Sequence, residues 1–554
     1  MNLSRRTTRL SLHGLGLVTV VGSLYVWVYW FYPLLGHDFA AVLPAMYEMH
    51  DAFARFGRLD VDFSPFRCLG LPVFAHPNAL VWSLFHLTAL VFSEIDGLLV
   101  ATATFLVFGY VGCVRLVRGL GLRDDVAALM AVGWCLQGFC VAHALAGHVN
   151  YVQLCLLPLL LWVLIQRRSS WIGIGLVAFW MAHFVYTAGY YLLLVGMPSV
   201  LVAAFVLESL IPERLARHDL GGLRTAARNL LVASALAIAM CGPKILAVLD
   251  FTALFPRLVH LERIAVWKAL AYTLSQYFFP FPYDTRRLTG WWYGNWESYQ
   301  FILPGMVYGL AYLLYTERRE LPAGRVLGLF AALVVVGTVL GSGMMAPVFE
   351  ALPLFESLHV NPRWHAFVLL PFFALALGVV GALPSRRHPL PGWLLAVLGT
   401  IFFAVPLQFV DRQSMGITYE DRQGIDNARH RLSFCYEPIF GYRLEQFPVR
   451  GNVDFESDVL VDPRCYLRSS QCRPGTIFGE TGTQPADRAA LASYALRDEY
   501  APVRYLKWPS LLVYLVGFAC ALTWLAQAVT GLIRDDVSTA RRAIRGASRT
   551  RAAR

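Results

Sequence analysis

The sequence predicts an all-α polytopic membrane protein, and three observations lead to this fold class. Of the 554 residues, 57% are hydrophobic before glycine is counted and only 15% are charged, whereas about 25% are charged in soluble globular domains. A bilayer can cover so much apolar surface, and a soluble fold with so few charges cannot. About twelve segments are also apolar over the roughly 20 residues that a spanning helix needs. Disorder is excluded by the 36 Phe, 25 Tyr and 15 Trp.

The predicted spans follow one another along the whole chain. They cover roughly 11–35, 97–116, 125–144, 151–166, 170–188, 190–210, 229–248, 301–316, 326–344, 365–384, 392–410 and 509–532. One further apolar segment, 79–94, is short and carries His86. If it spanned, the basic loop that follows at 115–123 would move outside. We therefore expect 79–94 to be a re-entrant or interfacial helix.

Arginine predicts the orientation of these spans. Basic loops usually lie in the cytoplasm, and every second loop here is basic. The arginines of these loops are Arg5, Arg6, Arg9, Arg115, Arg118, Arg123, Arg167, Arg168, Arg214, Arg217, Arg224, Arg228, Arg318, Arg319, Arg325, Arg386 and Arg387. Both termini are therefore predicted to be cytoplasmic. The net charge of +11 fits these loops, so we expect no nucleic-acid partner.

The predicted topology divides the chain into three parts. Residues 1–410 form a transmembrane module with large outer loops at 36–96 and 249–300. Residues 411–508 form a polar insert outside the membrane, large enough for one small α/β or mostly β domain. Residues 509–554 give the last span and a basic tail. In the oxidising compartment expected for the insert, Cys465 and Cys472 are the candidate disulfide, which leaves Cys435 unpaired.

Asp38 is the first candidate functional residue, because it follows His37 where the chain leaves the first span. An acid at that depth is costly unless it is paired or functional. It is a general base or binds a cation beside a substrate, or it is the N-cap of a helix over 39–55, since Asp is a preferred N-cap. His37 by itself is typical of a membrane interface.

Two cations near the outer ends of spans form the second group of candidates. Lys244 follows Gly242-Pro243, in a chain whose only other lysines are Lys268 and Lys507. It either snorkels and pairs, or neutralises a lipid-linked phosphate. Arg363 lies in HVNPRWH on the side that should be poor in arginine. Its planar fork suits phosphate oxygens, and the alternative is contact with an anionic lipid headgroup.

Two polar and aromatic segments could bind a sugar. GHVNYVQ, 147–153, offers His148 and Asn150 at an outer helix end, and WWYGNW, 291–296, is followed by Glu297. Sugars are bound by such hydrogen-bonding groups beside aromatic rings. Anchoring at the membrane interface explains both segments equally well. No P-loop, C-x-x-C, H-E-x-x-H or G-x-S-x-G motif accompanies them.

Taken together, these pieces resemble the glycosyltransferase C fold, and most closely its YfhO-like branch of bacterial membrane proteins. The resemblance covers about 36–385. It rests on GHD at 36–38, SPFRCLGLPVFAHPNAL at 64–80, GHVNYVQLCLLPLLLW at 147–162, GPKILAVLDF at 242–251, YGNWESYQFILPG at 293–305 and HVNPRWHAF at 359–367.

The resemblance implies an enzyme of the bacterial inner membrane that uses a polyprenyl-phosphate sugar. It would transfer the sugar with inversion, on the outer face, to a glycan, lipid or protein acceptor. Asp38 would be the base, and Lys244 and Arg363 would hold the donor phosphate. Only Asp284 and Glu297 are available where many members carry a second acid pair, which argues against a required divalent metal. The alternatives are a flippase for lipid-linked sugars and a non-catalytic envelope protein that binds a partner through 411–508.

Overall fold

Helices make up nearly all of the chain that the computed structural model describes. The described residues are 2–26, 39–57, 73–77, 79–92, 94–187, 189–254, 263–278, 322–351, 361–383 and 501–552. Within these ranges there is no strand, and the only extended pairing is an isolated bridge between Gln166 and Leu220. The predicted all-helical character is therefore confirmed for the described part. Residues 411–500 of the predicted insert 411–508 and the predicted spans 301–316 and 392–410 lie outside it.

Between residues 2 and 187, the described residues form eight α-helices and one 3₁₀ helix. They are α1 (Asn2–Tyr25), α2 (Phe39–Phe56), α3 (Leu84–Val91), α4 (Glu94–Gly119), α5 (Asp124–Cys135), α6 (Gly138–Ala146), the 3₁₀ helix Val149–Leu156, α7 (Leu157–Leu164) and α8 (Trp171–Tyr186).

Between residues 189 and 552, the described residues form a π turn and nine α-helices. They are the π turn Leu192–Gly196, α9 (Met197–Leu210), α10 (Pro212–Arg217), α11 (Leu223–Leu254), α12 (Val266–Phe278), α13 (Ala323–Gly341), α14 (Ala346–Glu350), α15 (Asn361–Trp364), α16 (Ala366–Ala382) and α17 (Ala501–Ala552).

Six helical segments of the described part are long and apolar enough to cross a membrane. They are Ile95–Gly119, Asp124–Ala146, Leu192–Leu210, Leu223–Ala253, Ala323–Gly341 and Tyr505–Gly531. Four shorter apolar helices lie at Ser11–Tyr25, Val149–Leu164, Trp171–Tyr186 and Ala366–Ala382. The membrane character predicted from composition agrees with these helices, and the number of twelve spans remains a prediction.

Several elements differ from the sequence-based boundaries. The predicted span 125–144 is broken at Leu136 and Gln137, so that α5 and α6 are separate helices. The last helix begins at Ala501, before the predicted boundary at 509. It includes the polar positions 504 and 507 and Pro509, which the sequence-based boundary had excluded. By contrast, α3 has 8 residues and spans only about 12 Å, which agrees with the expectation that 79–94 does not cross the membrane.

Small residues let α4 pack closely against the 3₁₀ helix and α7. A Cβ atom added at Gly109 would lie 2.7 Å from the carbonyl oxygen of Cys155, and one at Gly112 would lie 2.7 Å from the Cα atom of Leu159. Real Cβ atoms do not approach other atoms so closely. These two glycines therefore set the distance between α4 and its neighbours.

The arginine-rich loops gather at one end of the bundle. Arg214 donates to the carbonyl oxygen of Leu120 (3.0 Å), and Arg228 donates to that of Arg167 (2.9 Å). Arg325 donates to the carbonyl oxygen of Ser209 (2.7 Å), and Arg115 donates to those of Gln527 and Ala528. We refer to this end as the basic end. It unites loops that the sequence predicted to lie on one side of the membrane.

The opposite end is built around residues 73–77 and 79–82, which we call the turn at 73–82, and the short helix α3. Ser83 is the N-cap of α3, and its hydroxyl accepts a hydrogen bond from the backbone N–H of His86 (3.3 Å). His50 of α2 bonds to the carbonyl oxygen of Ala89 (2.7 Å), so that α2 lies against α3. The polar contacts described next all lie at this end, which we call the site end.

Candidate functional site

Lys244 is buried beneath the turn at 73–82. Its Nζ donates to the carbonyl oxygens of Phe74 (2.6 Å) and His76 (2.8 Å), and the residue is 0% exposed. Its position in α11 directly follows Pro243, which lies inside the helix. Because an isolated ammonium is costly in an apolar interior, these carbonyls are part of what keeps Lys244 there. The sequence left open whether Lys244 snorkels and pairs or neutralises a lipid-linked phosphate, and in the structure its ammonium is hydrogen-bonded to these two carbonyls.

A second lysine reaches the same turn from the last helix. Lys507 of α17 is 3% exposed, and its Nζ lies 4.5 Å from the ring centroid of Phe74 and 5.4 Å from that of Trp82. The Nζ of Lys244 lies 5.6 Å from the same Phe74 centroid. Cation–π attraction is effective within about 6 Å. We call Phe74, Trp82, Lys244 and Lys507 the two-lysine cluster.

Trp82 holds its place in this cluster with a strained backbone. Its φ is 56°, in the left-handed region, which is unfavourable for a bulky side chain. The backbone N–H of Trp82 donates to Nδ1 of His86 (3.1 Å), so the proton of the neutral imidazole is on Nε2. Among the described residues this buried Nε2 has no partner. Burial lowers the pKa of His86 from 6.5 to about 4, because desolvation disfavours the charged ring.

Arg363 lies in a second group of side chains at the same end. Its guanidinium donates to the hydroxyl of Tyr151 (2.7 Å) and lies 4.8 Å from the centroid of that ring. Nδ1 of His148 lies 2.7 Å from Nδ1 of His143, so one of the two nitrogens must donate a proton to the other. The rings of His143 and His148 both contact that of Tyr151. We call His143, His148, Tyr151 and Arg363 the arginine–tyrosine cluster.

A chain of hydrogen bonds connects the surroundings of the two clusters. Nε2 of His183 accepts from the backbone N–H of Leu84 (2.9 Å), and its Nδ1 therefore donates to Oε1 of Gln153 (2.7 Å). The amide nitrogen of Gln153 donates to the hydroxyl of Thr187 (2.9 Å) and the carbonyl oxygen of Asn150 (3.0 Å). The start of α3 is thus fixed, through α8, to the segment that carries His148 and Tyr151.

The structure brings together some of the predicted site residues. The segments 147–153 and 359–367 meet through Tyr151 and Arg363, and Lys244 meets the turn of the 64–87 segment. Asn150 is half-buried, and its carbonyl is used by Gln153. His37, Asp38, Glu297, Cys465 and Cys472 lie outside the described residues. Helix α2 begins at Phe39, which agrees with the predicted helix 39–55 directly after Asp38.

Sequence reasoning missed several side chains of these clusters. Lys507 precedes the apolar run used to place the last span. Phe74 lies in the quoted segment 64–80 and Trp82 in the predicted helix 79–94, but no motif assigns a role to either residue. The scarcity of lysine was the available signal, because two of the chain's three lysines prove to be buried. Among the described residues, no group of three or more His, Cys, Asp or Glu side chains could hold a metal ion.

Comparison with known proteins adds no relative: no protein-family model, no curated protein and no solved structure matches the chain.

Proposed function

We propose that the protein is a membrane glycosyltransferase that moves a sugar from a polyprenyl phosphate to an envelope glycan, lipid or protein acceptor. One observation carries the proposal. Lys244 and Arg363, the cations expected to hold the donor phosphate, both lie at the site end, away from the arginine-rich loops of the basic end. Charged groups within membrane proteins are costly and usually functional. Cations retained at this end suit an anionic lipid substrate.

The proposed reaction is a direct displacement with inversion. Asp38 takes the proton of the acceptor hydroxyl, whose oxygen bonds to the anomeric carbon as the bond from that carbon to the phosphate oxygen breaks. The electron pair of the broken bond leaves with the phosphate, and a positioned cation stabilises this charge. Burial of the prenyl chain between spans would hold the donor in place for the reaction.

The direct test uses the purified full-length protein in detergent with a labelled polyprenyl-phosphate sugar. We expect transfer to an acceptor fraction or, without an acceptor, slow hydrolysis that releases the labelled sugar. Asp38→Asn is the matched variant, and boiled protein is the control. Well-folded protein that binds the donor but produces neither product would refute the proposal.

A flippase for lipid-linked sugars is the second candidate, because two apolar helical segments are irregular. The segment Asp124–Ala146 is broken at Leu136 and Gln137, and a π turn at Leu192–Gly196 leads into α9. Transporters build substrate sites from discontinuous helices. In sealed vesicles, movement of the labelled lipid across the membrane without any release of sugar would favour the flippase over the transferase.

A further inference from the structure

We propose that α12 lies in the membrane interface at the site end, with one apolar edge among the lipid chains and Lys268 at the level of the headgroups. This inference goes beyond the proposed function, because it concerns a segment that the sequence places in a loop, 249–300. The partner of this surface is the lipid bilayer. Three features of α12 support the placement: its length, the positions of its contacts with other helices, and the side chains that it exposes.

The length of α12 is too small for a membrane span. It has 13 residues, which cover about 20 Å, whereas the hydrocarbon core of a bilayer is about 30 Å thick. Among the described residues it does not belong to the helices that are long and apolar enough to cross a membrane. Its sequence, VWKALAYTLSQYF, mixes apolar and polar residues. Helices of this amphipathic kind lie along the membrane surface.

The contacts of α12 with α13 all lie near one end of α13. The backbone N–H of Ile264, just before α12, donates to the carbonyl oxygen of Ser342 (3.0 Å). Further along α12, the hydroxyl oxygens of Thr273 and Thr338 lie 3.4 Å apart. Positions 338 and 342 are about one helical turn apart. Because the other end of α13 is held at the basic end through Arg325, α12 lies at the far end of this helix.

Tyr272 fixes α12 beside the arginine–tyrosine cluster. The centroid of its ring lies 5.0 Å from that of His365, and both residues are 0% exposed. His365 is the N-cap of α16 and follows Arg363 by two positions. The buried side of α12 is therefore held at the site end from Ile264 to Thr273, rather than along the length of the bundle.

The exposed side of α12 is apolar. Four of its side chains combine apolar character with high exposure: Val266 (49%), Trp267 (64%), Leu270 (39%) and Leu274 (36%). With 3.6 residues per turn, these four positions fall within an arc of about 100°. We call them the apolar edge of α12. A contiguous apolar strip of this kind is unfavourable in water and marks a surface that another apolar phase covers.

The neighbours of α12 indicate that the bilayer is this apolar phase. Helix α13, on which α12 packs, is long and apolar enough to cross a membrane and exposes Leu327 and Val335. Exposed side chains of a spanning helix face lipid. Directly after the contact at Ser342, Met344 (55%) and Val348 (49%) are also exposed and apolar. The apolar edge of α12 is thus next to a surface that already faces lipid.

Lys268 borders the apolar edge on its polar side. It is half-buried and lies outside the arc of the four apolar residues, and its Nζ is 5.9 Å from the centroid of the Trp267 ring. Tryptophan rings settle at the level of the headgroups, and lysine extends its ammonium to the same level. Arg263, which precedes the helix, is exposed. This cationic border suits anionic headgroups.

Photocrosslinking of the full-length protein in lipid nanodiscs tests this placement. The photoreactive residue benzoylphenylalanine replaces Trp267, which is exposed, so the substitution leaves the buried side of α12 intact. The nanodiscs contain equal parts of phosphatidylglycerol and phosphatidylcholine with the same acyl chains. We expect the lipid to be attached near its glycerol and the first chain carbons. The same probe in place of Val335, within the α13 span, should attach to carbons further along the chains.

The matched control places the probe at Arg217, an exposed residue of α10 at the basic end. We expect about tenfold more lipid adducts from position 267 than from 217, since burying one apolar side chain is worth at least a factor of ten. A probe in place of Leu270, on the same edge, should repeat the result for 267. A yield as low as that from 217, or crosslinks to a second copy of the chain or another protein in place of lipid, would overturn the proposal.

The same adducts test the position of Lys268. One basic side chain near the headgroups should favour phosphatidylglycerol over phosphatidylcholine by about threefold to fivefold among the adducts from position 267. We expect Lys268→Gln to reduce this excess about threefold, and Lys268→Arg to retain it. An excess that is unchanged in Lys268→Gln would overturn the placement of this lysine among the headgroups.

Discussion

Asp38 is the residue whose replacement best separates catalysis from structure. Asn keeps the shape of Asp and most of its hydrogen bonding but loses the charge. If Asp38 is the base, Asp38→Asn should lower the transfer rate by about 10²–10⁴. If it only caps α2, which begins at Phe39, little should change, because Asn caps helices as well as Asp. Near-normal transfer by a well-expressed variant would therefore contradict the catalytic role and direct attention to Glu297.

His86 should make the stability of the protein depend on pH. Burial lowers its pKa from 6.5 to about 4 in the folded protein. As the pH falls below 6.5, the unfolded chain binds a proton at this site that the folded protein does not, so stability is lost down to pH 4. His86→Gln removes this contribution. Thermal unfolding in detergent at pH 7 and pH 4.5 should show a smaller loss of stability for the variant than for the wild type.

The control for that experiment is His218→Gln, which changes an exposed histidine at the basic end. We expect its loss of stability between the two pH values to equal that of the wild type. Parallel behaviour of all three proteins would show that His86 does not carry the effect.

Single residues also show where sequence reasoning ends. Arg363 was identified because it breaks the inside-positive pattern, and Lys244 because lysine is rare. Their partners, the Tyr151 hydroxyl and the carbonyls of Phe74 and His76, could not be predicted. These contacts join positions 212 and up to 170 residues apart, and local periodicity does not reveal the packing that creates them.

At the level of elements, apolar length predicted the long helices well. The span 97–116 appears as Ile95–Gly119, and 229–248 lies within Leu223–Ala253. The break at Gln137 was missed because the residues on both sides of it are apolar and the hydropathy is continuous. The start of α17 was missed for the opposite reason, since Lys507 and Pro509 interrupt the apolar run although the helix continues through them.

Close helix packing gives a prediction at this scale. A Cβ atom at Gly112 of α4 would overlap Leu159 of α7, so Gly112→Ala should destabilise the protein by about 1–3 kcal/mol through overpacking. The matched control is Gly328→Ala in α13, where nothing lies within 4 Å of the added atom. There the substitution should be neutral or stabilise by up to about 1 kcal/mol. Denaturation in detergent measures both, and equal stability of the two variants would contradict the packing argument.

The whole molecule is organised by the contrast between its two ends. Arg115, Arg214, Arg228 and Arg325 bind backbone carbonyls of neighbouring segments at the basic end. At the site end, Lys244 donates to the carbonyls of the turn, and Lys507 and Arg363 contact aromatic rings. This separation explains why a simple count of arginines in loops predicted which segments lie together, although it could not predict the geometry of the clusters.

The polar insert should lie on the same side as the site end, and α17 provides the reason. Arg115 binds α17 at Gln527 and Ala528, which fixes that part of the helix at the basic end. The start of α17 meets Trp82 through Lys507 and Trp508, at the site end. The insert precedes Ala501, so it must join the helix there. If basic loops are cytoplasmic, the insert is outside.

Reporter fusions test this topology directly. A phosphatase that folds only outside the cytoplasm should be active when fused near residue 440, within the insert. The same reporter should be inactive when fused near residue 220, in the loop between α10 and α11 at the basic end. A fluorescent reporter that works only in the cytoplasm should give the reverse pattern. Phosphatase activity at 220 combined with fluorescence at 440 would show that the orientation is the reverse of the predicted one. The two-lysine cluster would then lie on the cytoplasmic side, where an outer-face transferase could not operate.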